Sequence, residues 1–250
     1  MRLALLSDIH GNSHALDAVL ADGAECHIDQ YILLGDTVFN GLFPKRCIER
    51  LSDLPILASI KGNTDANIEN LENLRVTTKL EGYIKDLAVF TVEELSSKTV
   101  GMLKNLRIRE DHTIEGHSII FCHGSPYSFK EQLKPHGETL PSTAAQIASE
   151  DVDLICCGHT HRSGDFSVGN VRVINPGAVG YSFDSNWRPS YAVLDIDSEG
   201  INCEIRKISY DRDIYIRDLK KYAHRFPLLE SVIYAVQNGE QMPDFFQRFK

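Results

Sequence analysis

Gly158-His159-Thr160-His161 and Ser7-Asp8-Ile9-His10-Gly11-Asn12 are the two stretches from which the rest of the chain can be ordered. Each follows a short apolar run, Leu154-Ile155-Cys156-Cys157 and Leu3-Ala4-Leu5-Leu6. Apolar runs of this length, closed by Gly and polar residues, read as buried strands opening into a loop. Each loop offers two side chains of metal-ligand type, one residue apart. On irregular backbone such a pair can meet one ion together or serve one ion each. A lone His-x-His is equally at home as ordinary surface or core histidine, so the reading depends on partners at other strand ends.

Three more strand-like runs end the same way. Tyr31-Ile32-Leu33-Leu34 leads into Gly35-Asp36, Pro55 to Ile60 into Lys61-Gly62-Asn63-Thr64-Asp65, and Ser118 to Cys122 into His123-Gly124. Taken in order, Asp-x-His, Gly-Asp, Gly-Asn-x-Asp, His-Gly and Gly-His-x-His resemble the calcineurin-like metallophosphoesterase superfamily. Within it the chain looks most like small bacterial members of the YfcE type. Each motif alone is weak, but the ordered set of five is specific, and the resemblance spans roughly residues 1–208.

The resemblance implies an α/β fold: a four-layer α-β-β-α sandwich of two mixed sheets flanked by helices, with the site at the carboxyl ends of the strands. It also implies two divalent metal ions, with Asp36 as the bridging carboxylate. Asp8, His10 and His161 complete one metal site, and Asn63, His123 and His159 the other. Imidazole, carboxylate and amide oxygen without thiolate suit manganese, iron, cobalt, nickel or zinc. Two such ions about 3.5–4 Å apart neutralise phosphate oxygens, generate a bridging hydroxide and fix an in-line geometry. The expected substrate is a small phosphate ester, with phosphodiesters or esters with good leaving groups favoured.

The candidate catalytic residues are Asp36, Asn63, Asp65 and Asn12. Each has a plainer reading as well. Asp8 and Asp36 suit helix N-caps, Asn63 suits the Gly62 turn, and His123 suits the core. Asn12 either donates to a phosphate oxygen or caps the helix that starts there. In the family the residue matching Asp65 orients a histidine one position earlier, and that histidine is thought to protonate the leaving group. Here that position is Thr64, so efficient cleavage of alkyl phosphomonoesters is not expected. Lys130, Lys134 and Arg162 are candidates for positive charge at the substrate mouth.

A length of 250 residues suits one large domain with at most a modest appendage. The net charge of −9 argues against nonspecific nucleic-acid binding. No run of eighteen apolar residues is present, and the four apolar residues after Met1-Arg2 are too few for a signal-peptide core. Cysteines 26, 47, 122, 156, 157 and 203 are scattered and read as reduced thiols of a cytoplasmic protein. Cys156 and Cys157 adjoin the histidine loop, but Gly158 and strand alternation set them apart from it.

Asn12–Asp22 and Pro44–Leu51 carry helical spacing, the second with Pro44 in its first turn. Residues 66–107 read as mainly helical, with patterned stretches at 68–74 and 92–106, and as cover for a site edge or a sheet face. Ile108–Ile114 and His117–Cys122 read as a hairpin about Glu115-Gly116. Residues 124–141 form a long loop placed to wall the substrate site, followed by a helix at 142–149. Strands recur at 171–174, 191–196 and 201–208, broken by a tight turn at Asn175–Gly180. Helices at 214–226 and 228–236 make residues 209–250 an extension that either packs on the domain or mediates association.

Two other readings compete. One is a serine/threonine protein phosphatase or dinucleoside polyphosphate hydrolase, but Gly35-Asp36-Thr37-Val38-Phe39-Asn40 lacks the Asp-Arg-Gly expected of the former. The other is a binding scaffold that has lost its chemistry, against which stand seven filled ligand positions.

Overall fold

The computed structural model describes every residue except 70, 72–74, 136, 246 and 248–250. Two five-stranded mixed sheets face each other. The first comprises β1 (Arg2–Leu6), β2 (Gln30–Leu33), β3 (Ile56–Ser59), β9 (Ser190–Asp197) and β10 (Gly200–Lys207), in the order β10-β9-β1-β2-β3. The second comprises β4 (Arg109–Ile114), β5 (His117–Cys122), β6 (Leu154–Cys156), β7 (Ser163–Val168) and β8 (Val171–Pro176), in the order β4-β5-β6-β8-β7. β1, β2 and β3 run parallel, as do β5, β6 and β8. Their carboxyl ends therefore open on one rim.

The alternation of side chains along each strand sorts the layers. Leu3 and Leu5 point inward to meet Phe121, Leu154 and Ile174 of the facing sheet, while Ala4 and Leu6 point outward. The outward face packs on Leu16 and Val19 of α1 (Ser13–Glu25) and on Cys47 and Leu51 of α2 (Pro44–Ser52). Behind the second sheet, Ile120, Ile155 and Val173 pack on Ile147 of α6 (Pro141–Ile147) and on Leu133 of the preceding loop. This is the α-β-β-α sandwich. Each fully buried Leu or Ile contributes about 1.5–3 kcal/mol, and the central layer fixes the strands whose ends carry the polar loops.

A further apolar cluster holds the C-terminal helices α7 (Arg212–Tyr222) and α8 (Leu229–Asn238). Tyr215, Leu219, Leu229 and Val232 pack there with Leu87 and Ala88 of α4 (Lys79–Glu93) and with Phe39 and Tyr181 of the rim loops. α4 starts at a capping box in which Thr78 and Glu81 satisfy each other's backbone N–H. Thus residues 209–238 and much of 66–107 build the same rim. The remaining helices among the described residues are α3 (Asp65–Glu69) and α5 (Ser97–Lys104). The patterned stretch at 68–74 is helical through Glu69, and its positions 70 and 72–74 lie outside the described residues.

Two local readings change. β7 was not anticipated, because Phe166 and Val168 are the only apolar side chains among its six residues. It is an edge strand with one neighbour, so little of it needs to be apolar. The turn expected from Asn175 begins later, since β8 runs through Pro176 and the chain turns at Gly177 with φ of +80°. The hairpin at Glu115-Gly116 is as read, and both turn residues have positive φ. No helix among the described residues is long and apolar enough to cross a membrane. All six cysteines are free, and burial pushes Cys157 up to about 12, so it stays a thiol beside the histidine loop.

Candidate metal centre

The loops after β1, β2, β3, β5, β6 and β8 meet on the rim, and backbone bonds join the β1 loop to the β2 and β8 loops and the β5 loop to the β6 loop before any side chain is considered. Asp8 N–H donates to Gly35 O, His10 N–H to Asp36 O, Gly158 N–H to His123 O and Gly180 N–H to Asp8 O. These bonds hold unusual backbone. Asp8, His10, Asp36, His159 and His161 have φ of +52°, +49°, +55°, +67° and +54°. Left-handed backbone at such residues costs about 1–3 kcal/mol each and persists only where the surroundings enforce it. Two glycines allow the close approach: a Cβ on Gly62 would fall 1.9 Å from Asp36 Oδ1, and one on Gly158 would fall 1.9 Å from Ser7 Oγ.

The side chains converge in two overlapping groups, Asp8–His10–His161 and Asp8–Asp36–His123. Asp8 Oδ1 lies 3.2 Å from His161 Nε2, 3.7 Å from His10 Nε2 and 3.9 Å from His123 Nε2. Asp36 Oδ2 lies 3.7 Å from His10 Nε2 and 3.5 Å from His123 Nε2. Asn63 Oδ1 is 3.0 Å from His123 Nε2. The His159 ring stands 5.2 Å from that of His123, at 62°.

Each inner histidine is anchored from behind. Nδ1 of His10 donates to Phe39 O at 2.8 Å, Nδ1 of His123 to Leu34 O at 2.6 Å, and Nδ1 of His161 to Tyr181 O at 2.7 Å. The Nδ1–H donated to a carbonyl leaves Nε2 as the atom that faces the centre, as in metal-ligating histidines. Asp8 Oδ2 is held by the Ser7 hydroxyl at 2.6 Å and by His159 N–H at 3.0 Å. Its Oδ1 is buried without a hydrogen-bond partner among the described residues.

Charge follows from this crowding. Burial raises Asp36, but the His123 charge and hydrogen bond outweigh it and hold the carboxyl at about 2. Burial likewise raises Asp8, yet His161 and His123 outweigh it and keep it well below the usual carboxylate range. Burial lowers His123, but Asp36 and Asp8 reverse this and lift it to about 10. His159 is lowered by burial first and by His123 second, so it favours neutral imidazole.

The donor set fits divalent cations. Two Nε2 atoms, of His10 and His161, face each other at 3.1 Å with Asp8 Oδ1 beside them. Buried atoms of this kind need a shared positive centre. The centre opens into a cleft of about 890 Å³, lined by His10, Asp36, Asn63, Thr64, His159 and His161 on its floor. Lys134 and Arg162 reach its walls, as do Gln132, Leu133, Pro135 and Glu138 of the long loop. Lys130 does not: it is exposed and lies over Phe129 at 6.0 Å.

Asp65 and Asn12 are engaged with the fold. Asp65 Oδ2 accepts from Asp36 N–H at 3.0 Å and from Gly62 N–H at 2.8 Å. Asn12 Oδ1 caps α1 through Ala15 N–H at 3.1 Å, and its Nδ2 donates to Gly180 O at 2.7 Å. Both ends of the Asn12 amide are thereby committed, which favours the cap over a catalytic placement. Sequence reasoning placed Asn175 beside the site only as part of the Asn-Pro-Gly turn, by resemblance, and missed Tyr181 and Phe183. The Asn175 amide donates to Gly158 O at 2.7 Å and Thr160 Oγ1 at 3.1 Å, steadying the histidine loop. Tyr181 stacks on His10 and Phe183 on His161, with centroids 4.8 and 4.6 Å apart. The Asn-Pro-Gly stretch was the one signal available for these.

Fold and site together define a metal-dependent phosphoesterase. Residues 1–199 match the calcineurin-like phosphoesterase superfamily domain, and the chain belongs to that superfamily. It is similar to the uncharacterised protein MJ0912 of Methanocaldococcus jannaschii, 28% identical over 84% of this chain and 88% of that protein. Among solved structures it is similar to a metallophosphoesterase from Sphaerobacter thermophilus, 25% identical over 96% of this chain and 99% of that one, with a TM-score of 0.71. It also shares the fold of the hypothetical protein PH1004 from Pyrococcus horikoshii, 21% identical over 96% and 99%, with a TM-score of 0.79. YfcE of E. coli, named by the motif resemblance, matches in fold over 84% of this chain and 100% of its own, 21% identical with a TM-score of 0.50.

Proposed function

We propose that the protein is a dinuclear phosphodiesterase that favours esters with acidic leaving groups. The observation that carries the reading is the position of Asp36 Oδ2, 3.7 Å from His10 Nε2 on one side and 3.5 Å from His123 Nε2 on the other. One metal would be held by Asp8, His10, Asp36 and His161, and the other by Asp36, Asn63, His123 and His159. Manganese, iron, cobalt, nickel and zinc all suit these ligands. When bound, such ions neutralise ester oxygens and make water a nucleophile near neutral pH.

The chain's own contribution is positioning. Ser7 and the His159 amide fix the Asp8 carboxylate, and three carbonyls fix the imidazoles. Lys134 and Arg162 place positive charge on the walls for an anionic ester. Thr64 takes the position of the family's histidine and offers no proton near neutral pH. In this reading residues 1–208 are the catalytic domain and 209–250 an extension of it.

The test is metal analysis and hydrolysis of an aryl phosphodiester with Asp36→Asn. We expect two metal equivalents in the wild type, and a variant with lower occupancy and a turnover loss of about 10²-fold or more. One equivalent in the active wild type, or near wild-type turnover in a loaded variant, overturns the dinuclear assignment.

A further inference from the structure

The family match ends at residue 199, yet the cleft over the metal centre does not. Its lining includes Leu228 and Ser231 at the start of α8, Gln241, Met242 and Phe245 beyond it, and Ile84 of α4. Leu228 and Phe245 are buried in the apolar cluster that holds α7 and α8 against the rim, and Met242 packs on it. This wall runs on to Phe183, whose ring lies at 13° to His161. At about 890 Å³ the space far exceeds the needs of a bare phosphate and falls in the range of pockets that enclose an organic ligand.

Besides the charged Lys134, Glu138, Arg162 and Asp184, the cleft carries neutral carboxamides. Asn67 of α3, Gln132 of the long loop and Gln241 line the cleft, and their side-chain amides make no hydrogen bond to another described residue. A carboxamide presents a donor and an acceptor side by side. Such groups beside aromatic and thioether surface match a planar, neutral, hydrogen-bonding group. Flat rings gain from stacking, and Met fits itself to ring edges.

We propose that the C-terminal segment forms a specificity pocket for the non-leaving arm of a phosphodiester, and that this arm is a planar heterocycle of nucleoside size. The assignment rests on the phosphoesterase reading above. The ester phosphorus sits at the metal ligands, the leaving group faces open solvent, and the retained arm lies between Phe183 and Met242, with the carboxamides of Asn67 and Gln241 at its edge.

Three diesters sharing p-nitrophenolate as leaving group and differing in the other arm test this: methyl, phenyl and thymidine 5′-yl. With metal-loaded full-length protein, the thymidine ester should exceed the methyl ester in kcat/KM by about tenfold or more, roughly 1.4 kcal/mol. The phenyl ester should fall between them. That ratio should collapse toward one in Met242→Glu, and in Gln241→Ala, whose exposed side chain makes misfolding a poor explanation. Equal values for methyl and thymidine arms, or an unchanged ratio in both folded variants, overturn the pocket. A phenyl arm equal to thymidine overturns the heterocycle assignment. Failure to hydrolyse any of the three points instead at the phosphodiesterase reading. In that case calorimetry decides the pocket separately: thymidine 5′-monophosphate binding about tenfold tighter than inorganic phosphate supports it, and equal affinity overturns it.

Discussion

Asp65 holds Asp36 by its backbone: one carboxylate oxygen accepts from Asp36 N–H at 3.0 Å and from Gly62 N–H at 2.8 Å. Asp36 in turn accepts from Thr64 N–H through Oδ1 at 2.8 Å, leaving Oδ2 for the centre. Burial, and then the charge of Asp36, pushes Asp65 up to about 6, against the two backbone N–H bonds that favour its charged form. Asp65→Ala should weaken metal binding or activity by about 10–100-fold, the usual scale for groups behind a ligand. Asp65→Asn keeps an acceptor oxygen and should lose less. Metal titration of both variants is the check, and wild-type affinity in the alanine variant would remove Asp65 from this role.

How much of this was legible follows from where the information sits. Strand ends were readable because Leu3–Leu6, Tyr31–Leu34 and Ser118–Cys122 are apolar runs stopped abruptly by polar residues. The ordered ligand motifs then placed the site on one rim. The left-handed backbone at Asp8, His10, Asp36, His159 and His161 could not be read, since none is glycine and the enforcing bonds come from distant loops. The stacking of Phe183 on His161 joins positions far enough apart that no local pattern records it. Helices α7 and α8 were visible as amphipathic segments, but periodicity names a buried face without naming its partner. That partner is the cluster around Phe39, Leu87 and Tyr181.

The two loop lysines separate cleanly. Lys134 lines the cleft, whereas Lys130 lies outside it over Phe129. Lys134→Ala should raise KM for an anionic diester by about 3–10-fold while metal content stays unchanged, because one partly screened charge is worth about 1 kcal/mol. Lys130→Ala should leave KM as it is. Steady-state kinetics at low and high salt reads this out, and equal effects of the two substitutions would contradict the placement.

Asp184 makes the stability of the rim depend on pH. It accepts from Lys207 Nζ at 2.6 Å, from Ser163 Oγ at 2.8 Å and from the Ser182 hydroxyl. Burial raises its pKa, but the bonds from Lys207, Ser182 and Ser163 outweigh burial and lower it from the ordinary 3.8. A lowered carboxylate contributes stability above its unfolded value, and that contribution is lost as pH falls through the folded one. Asp184→Asn should therefore destabilise the protein by about 1–2 kcal/mol near pH 7, low in the range for bonds to a charged group because Lys207 is partly exposed. The gap between variant and wild type should close below roughly pH 4. Denaturant melts across pH measure it, and a gap that widens on acidification would refute the sign.

Thr64 sets the dependence on leaving group. Its Oγ1 is buried and has no hydrogen-bond partner among the described residues, and the residue lines the cleft floor. A positioned general acid is worth about 10²–10⁴-fold when the departing oxygen is a poor leaving group. A threonine hydroxyl cannot release its proton near neutral pH, so an alkoxide must leave unaided while p-nitrophenolate needs no help. Rates should therefore fall steeply as the leaving-group pKa rises. Thr64→His places an imidazole on the floor beside Asp65, whose Oδ1 has no partner among the described residues. That variant should flatten the dependence and raise alkyl-ester hydrolysis relative to p-nitrophenyl esters by about tenfold or more. A series of aryl and alkyl esters measured on both proteins tests this. A shallow slope in the wild type would mean that another group already supplies the proton, with Thr64 serving only to pack the loop.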